Sequence, residues 1–153
     1  MSDPVCELPQ KNASREDIRR MLAAAKTIAV VGLSDDPGRD SHRIAAYLQG
    51  AGYRVVPVNP NLHEVLGEKA YPDLASVPVP VDIVDIFRRV EAIPAIVDAA
   101  IAIRAKAVWM QLGLAHNASA EKARAAGLDV VMSKCIMVEH RHLAGAGSGT
   151  GSA

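Results

Sequence analysis

The chain has 153 residues, half of them hydrophobic, and its 17 basic residues balance its 17 acidic residues. This length and composition indicate one globular domain with a sizeable core, and they exclude a disordered or fibrous protein. A net charge of zero argues against a general nucleic-acid-binding protein, which normally carries a basic surface.

Residues 1–13 are predicted to form a flexible N-terminus. They include the polar stretch MSDPVCELPQKN, which lacks the apolar core of a signal peptide. No run in the chain approaches the roughly 20 apolar residues of a membrane span. We therefore expect a cytoplasmic protein without membrane contact. Because Cys6 lies in this N-terminus, no structural disulfide with Cys135 is expected.

Predicted helices and strands alternate along residues 14–143. The first helix is marked by Ser14 and Asp17, which have the spacing of a capping box. An irregular connection over 61–80 is expected to hold a short strand around Ala70 and a helical turn near Leu74. The Gly- and Ser-rich tail over 144–153 is predicted to be flexible. The predicted helices cover 12–26, 41–52, 90–106, 117–127 and 135–143, and the predicted strands cover 27–32, 53–60, 81–87, 107–113 and 128–134.

The predicted strands are continuous apolar runs separated by helices. This pattern is typical of a parallel sheet that is buried on both faces. It predicts a doubly wound α/β fold of about five strands, in which the strands at 27–32 and 81–87 are neighbours at the switch point. Ligands bind such sheets at the carboxyl ends of the strands beside that point.

The stretch IAVVGLSDDPGRDSHRIAAYL, residues 28–48, has the outline of a phosphate-binding strand, loop and helix. Gly32 fills the first position of the dinucleotide motif G-x-G-x-x-G and permits a tight turn. Ser34 and Pro37 occupy its other two glycine positions, and the Walker pattern is absent as well. Neither standard motif therefore identifies the ligand.

The same loop nevertheless has chemistry that suits an anion. Ser34 and Ser41 offer hydroxyl donors, Arg39 offers positive charge, and His42 and Arg43 could add more. The helix that starts near Ser41 would direct free N–H groups at a phosphate. The alternative is an ordinary turn in which Ser41 only caps the helix and the arginines are solvated.

The end of the second strand discriminates between nucleotide ligands. Proteins built for NAD usually carry an acidic residue there, which holds the ribose diol. This strand ends in Asn59, Pro60 and Asn61. The absence of an acid counts against NAD and permits a ligand with an additional phosphate on its adenosine. NADP and coenzyme A (CoA) both satisfy that condition.

Several blocks of the chain, taken together, resemble the small stand-alone CoA-binding proteins. That family is similar to the CoA-binding domain of succinyl-CoA synthetase and of NDP-forming acyl-CoA synthetases. The resemblance covers about residues 14–143 and leaves out both termini. The blocks are VVGLSDDPGRDSHRIAAYLQGAGYRVVPVNP, GEKAYPDLASVPVPVDIVDIFRR, AVWMQLGL and AGLDVVMSKCIMVEHRHL.

The resemblance implies a Rossmann-like domain over 14–143 that binds CoA or an acyl-CoA. It also implies the positions of the binding residues, which form four groups along the chain. Those that would meet the phosphates are Gly32, Leu33, Ser34, Arg39 and Ser41; those on the nucleotide side are Pro57, Val58 and Asn59; those at the end of the third strand are Phe87 and Arg88; those in the next part of the cleft are Gln111, Leu112 and Gly113.

Three residues at the end of the third strand and directly after it are candidates for contact with the ligand. Phe87, the only phenylalanine, could stack on an adenine ring or pack in the core. Arg88 and Arg89 could each pair with a phosphate in forked geometry. Arg89 could equally be a solvated residue at a helix start.

Cys135 is a candidate reactive thiol. It follows the last strand and opens the final helix, whose N-terminus can lower the pKa of a thiol, and Lys134 could add to that effect. A mixed disulfide with the thiol of CoA is one hypothesis. The other is that Cys135 is a small residue that only packs.

No catalytic group is identified by the sequence. The related synthetases use a phosphorylated histidine from another domain, and none of the five histidines matches it. No metal-binding pattern is present either. The leading hypothesis is a CoA-binding protein without catalysis of its own: a carrier, a sensor or a partner subunit whose protein partner is unknown. The alternatives are an NADP-dependent reductase or other nucleotide-binding enzyme fragment, and an interaction module that binds no ligand.

Overall fold

The computed structural model describes residues 7–143, and its centre is a five-stranded parallel sheet. The strand order is β2-β1-β3-β4-β5. The chain adds β2 on one side of β1 and then crosses back to add β3 on the other side, parallel to β1. This confirms the predicted doubly wound, Rossmann-like α/β fold and its switch point. The strands are β1 (Thr27–Val31), β2 (Arg54–Val58), β3 (Ile83–Ile86), β4 (Ala107–Met110) and β5 (Asp129–Val131).

Five helices cover the two faces of the sheet. Helices α1, α2 and α5 bury their apolar side chains on one face, and α3 and α4 bury theirs on the other. Within residues 7–143, no helix has the length and apolar character needed to cross a membrane. The helices are α1 (Arg15–Ala24), α2 (Asp40–Gly50), α3 (Ile93–Ala102), α4 (Asn117–Ala125) and α5 (136–143).

The segment before α1 is bound to the domain rather than separate from it. The Asn12 amide accepts a hydrogen bond from the Met132 N–H at 2.9 Å and donates one to the Met132 carbonyl at 2.8 Å. Glu7 accepts a hydrogen bond from the first N–H of α4, that of Asn117. The boundary predicted at residue 14 therefore does not mark the start of the packed structure. Polarity alone gave no sign of these long-range partners. Residues 1–6 and the predicted flexible tail over 144–153 lie outside the described residues.

Two local predictions can be compared with the structure. The capping box is confirmed, because the Ser14 hydroxyl accepts from the Asp17 N–H and the Asp17 carboxylate accepts from the Ser14 N–H. In the irregular connection, the helical turn near Leu74 is confirmed as a 3₁₀ turn. The strand expected around Ala70 ends just before it, in a two-residue hairpin pairing of Glu64–Val65 with Glu68–Lys69.

Asp85 is an ionisable residue in the middle of the central strand. It pairs in register with Val30 and Trp109, is fully buried, and neither carboxylate oxygen has a hydrogen-bond partner among the described residues. Burial raises the pKa of Asp85 well above its ordinary value. Asp82 instead accepts hydrogen bonds from the backbone N–H groups at the start of β1. Burial without a hydrogen-bond partner within residues 7–143 therefore favours the protonated form of Asp85.

We expect Asp85→Asn to remove a pH dependence of stability. The folded protein retains the Asp85 proton above the unfolded-state pKa of about 3.9, so wild-type stability falls as pH rises, by up to about 1.4 kcal/mol per pH unit. Asparagine has a similar shape and cannot ionise. Urea unfolding followed by Trp109 fluorescence from pH 4.5 to 9 measures the difference between the two proteins. Parallel curves across that range would contradict the assignment.

Candidate functional site

The ends of three strands meet at Gly32. The Gly32 N–H donates to the carbonyl of Val58 at the end of β2, and the Phe87 N–H after β3 donates to the carbonyl of Val31, both at 2.9 Å. Gly32 has a φ of +90°, and a Cβ there would lie 2.4 Å from the Phe87 carbonyl oxygen. The chain can therefore pass this point only as glycine.

Two serine hydroxyls shape the loop that follows Gly32. The Ser41 hydroxyl accepts from the Ser34 N–H, and the Ser34 hydroxyl accepts from the Asp36 N–H, both at 3.0 Å. A hydroxyl that accepts one hydrogen bond still has its own proton to donate. Ser34 and Ser41 therefore hold the loop and remain able to donate to an anion.

The loop leads into the N-terminus of α2, which no side chain caps. Arg39 precedes the helix, is exposed, and forms no ion pair among the described residues, whereas Arg43 is paired with Asp40 at 2.7 Å. Of the two arginines predicted to act in this loop, Arg39 is thus the one left for a ligand. A pocket of about 530 Å³ lies here, and its lining residues are Gly32, Ser34, Gly38, Arg39, Asp40, Ser41 and Phe87.

A larger cleft of about 690 Å³ continues from the loop pocket toward β4 and β5. Phe87 and Asp40 line both spaces, so the two are adjacent. Residues that follow β3, β4 and β5 meet in this cleft, as the carboxyl ends of parallel strands should. Its other lining residues are Arg43, Ile44, Arg88, Arg89, Gln111, Leu112, Leu114, Cys135, Met137 and Val138.

A third pocket, of about 290 Å³, lies on the β2 side of the switch point. Arg88 lines both this pocket and the large cleft. Most of its walls are apolar, and they come from the end of β2, the irregular connection and the start of α3. They include Val58, Pro60, Pro72, Leu74, Ala92 and Ile96.

The backbone on both sides of Cys135 is fixed by buried side chains. Trp109 donates from Nε1 to the Lys134 carbonyl at 2.8 Å, and the Ile136 N–H donates to Oε1 of Gln111 at 3.1 Å. Trp109 is fully buried. These bonds hold the half-buried Cys135 at the wall of the large cleft.

The structure brings most of the predicted site residues to these pockets, but four take other positions. The side chains of Leu33 and Pro57 are buried, so only their backbone could meet a ligand. Asn59 ties the two loops together by donating to the Leu33 carbonyl at 3.0 Å. Gly113 is exposed and donates its N–H to the Ser133 hydroxyl rather than lining the cleft.

The apolar pocket on the β2 side contains residues that sequence reasoning missed. Pro72 lies in the irregular connection, and Ala92 and Ile96 lie at the start of α3. These residue types are common in any core, and no motif marks them. Only the fold shows that they face the end of β2.

The family model described as "CoA binding domain" matches residues 26–141, and the chain belongs to that family. Membership supports CoA binding in general.

Similar proteins and structures agree with this family. YneT of Bacillus subtilis (strain 168) is 40% identical over 130 residues, which cover 85% of this chain and 96% of YneT. A hypothetical protein from Pyrococcus horikoshii OT3 is 38% identical with a TM-score of 0.84, covering 94% of this chain and 99% of that one. The dinucleotide forming acetyl-coenzyme A synthetase 1 of Ca. Korarchaeum cryptofilum is 25% identical with a TM-score of 0.64, over 74% of this chain and 27% of the synthetase.

We expect Gly32→Ala to destabilise the protein more than Gly127→Ala. Both glycines have almost the same φ, +90° and +93°, but a Cβ at Gly127 meets nothing within 4 Å. The Gly127 variant therefore measures the backbone strain alone, about 1–2 kcal/mol. The clash with Phe87 should add about 1–3 kcal/mol. Equal losses in urea unfolding would show that the close approach at Gly32 is not a constraint.

Proposed function

We propose that the protein binds CoA or an acyl-CoA along these three pockets, with no catalysis of its own, as a carrier, a sensor or a partner subunit. One observation carries this proposal. The uncapped N-terminus of α2 and two serine hydroxyls face a pocket at the switch point, and two other pockets with largely apolar walls lie at the same edge of the sheet. A ligand that carries both phosphates and less polar groups fits that arrangement.

The phosphate groups would lie at the loop pocket. Helix N-termini attract anions because their first N–H groups lack acceptors. Ser34 and Ser41 would donate hydroxyl hydrogen bonds, and Arg39 would supply charge. Arg88 and Arg89 are exposed, form no ion pair among the described residues, and line the adjoining cleft, so either could reach a phosphate.

The position of β2 supports one orientation of the ligand. In doubly wound sheets the adenosine lies beside the end of the second strand. Here the apolar pocket containing Pro60, Ala92 and Ile96 would receive the adenine. The pantetheine arm would then run past Phe87 into the large cleft, and its thiol end would approach Gln111 and Cys135. In this orientation Phe87 lies beside the arm rather than under the adenine.

We expect Ser34→Ala and Arg39→Gln to weaken CoA binding about 10- to 100-fold each, because each removes a hydrogen bond to a charged group. The control is Arg54→Gln, which changes an exposed arginine at the start of β2, the opposite end of the strand from the site. Titration calorimetry measures the affinities. Wild-type affinity in both site variants would contradict the assignment of the loop.

Because this orientation places the thiol end of CoA near Cys135, it predicts that Cys135 can form a mixed disulfide with CoA. We expect its thiolate to attack a CoA disulfide, forming the Cys135–CoA disulfide and releasing the second CoA as a thiolate. Non-reducing mass spectrometry of protein treated with CoA disulfide should then show one CoA adduct, and Cys135→Ser should lack it. An adduct that persists in the Cys135→Ser variant would place the reactive thiol at Cys6 instead.

A further inference from the structure

The end of the large cleft beside Cys135 has exposed apolar side chains. Within the described residues, the large hydrophobic side chains that are exposed are Leu112, at 73%, Val138, at 38%, and Leu8, at 82%. Leu112 and Val138 both line this cleft, whereas Leu8 lies against α4. We propose that this end of the cleft binds the acyl group of an acyl-CoA thioester, so that the protein prefers an apolar acyl-CoA to free CoA. The inference rests on the proposed function and on its orientation of the ligand.

Gln111 supplies the polar part of this acyl site. Its side chain is only 5% exposed and lines the cleft. Oε1 accepts the hydrogen bond from the Ile136 N–H, while Nε2 donates to no residue in the described range. The two Nε2 donors therefore remain available to a ligand acceptor in the cleft. A thioester presents a carbonyl oxygen beside its sulfur, and free CoA has no acceptor there.

Leu112 is displayed on a constrained turn rather than on a loose loop. The Leu114 N–H donates to the Gln111 carbonyl at 2.8 Å, and the Gly113 N–H donates to the Ser133 hydroxyl at 3.1 Å. The backbone of Leu112 is therefore fixed at the mouth of the cleft before a ligand binds. Val138 lies in the first turn of α5, just beyond Cys135.

The charges in the cleft favour an apolar acyl group over a carboxylated one at this end. The cations Arg88 and Arg89 follow β3, toward the phosphate loop, and Arg43 is paired with Asp40. The cleft residues that follow β4 and open α5 are mostly apolar. They are Gln111, Leu112, Leu114, Met137 and Val138. An acyl chain would remove this apolar surface from water.

Titration calorimetry with CoA, hexanoyl-CoA and succinyl-CoA tests the preference. Hexanoyl-CoA should bind wild-type protein at least about tenfold more tightly than CoA, because several methylene groups are buried. It should also bind more tightly than succinyl-CoA. Leu112→Ala should reduce the advantage of the hexanoyl group, and the matched control Leu8→Ala should leave it unchanged.

The role of Gln111 is tested with Gln111→Glu and the thioether S-hexyl-CoA, which has no carbonyl. Glutamate keeps an oxygen for the Ile136 N–H and removes the donor. Wild-type protein should bind hexanoyl-CoA more tightly than S-hexyl-CoA, and the variant should lose that difference. The ratio cancels any general repulsion between the new carboxylate and the CoA phosphates.

These titrations distinguish a failure of the proposed acyl site from a failure of CoA binding itself. If CoA binds and hexanoyl-CoA binds no more tightly, or if succinyl-CoA binds best, the apolar acyl site is overturned and the CoA cleft stands. An unchanged thioester preference in Gln111→Glu overturns the role of the amide. If neither CoA nor hexanoyl-CoA binds, the proposed function itself is overturned.

Discussion

The close approach of three strand ends at Gly32 is the constraint on which the rest of the site depends. Hydrogen bonds link Gly32 to the end of β2 and Phe87 to the end of β1, and the Phe87 carbonyl occupies the space where a Cβ would be. Beyond Gly32 and Phe87, the loop after β1 and the segment after β3 separate from each other. The loop pocket and the large cleft open from that divergence, and they share Phe87 as a common wall.

The polar groups around these pockets combine support with recognition. Ser34, Ser41 and Gln111 each accept a backbone hydrogen bond that fixes a loop or a helix start, and each keeps a donor for a ligand. A groove built in this way is organised before the ligand arrives, which lowers the cost of binding. The Ser34 and Ser41 donors suit the phosphates that we propose for the loop pocket, and the Gln111 donor suits the proposed thioester carbonyl.

The sequence predicted the fold, and most of the candidate site residues lie together at one edge of the sheet, but their individual partners were not predicted. Apolar runs separated by Gly, Pro and Ser indicate strands that are buried on both faces. Such strands form a parallel sheet, and its right-handed connections allow few strand orders. The expectations for single residues differ from the structure where a side chain contacts a residue that is distant in sequence. The side chain of Asn59 joins two loops instead of facing a ligand, and Leu33 is buried. The Asp85 carboxylate has no hydrogen-bond partner among the described residues, whereas the Asp82 carboxylate accepts from the Thr27 N–H. No local sequence pattern distinguishes these two aspartates.

The most direct test of the central claim is titration calorimetry of wild-type protein with CoA, dephospho-CoA and NADP. We expect saturable binding of CoA, weaker binding of dephospho-CoA, which lacks the 3′-phosphate, and no binding of NADP. Binding of NADP in place of CoA would contradict the account and favour the reductase alternative. Absence of binding by all three would leave only the fold and favour an interaction module.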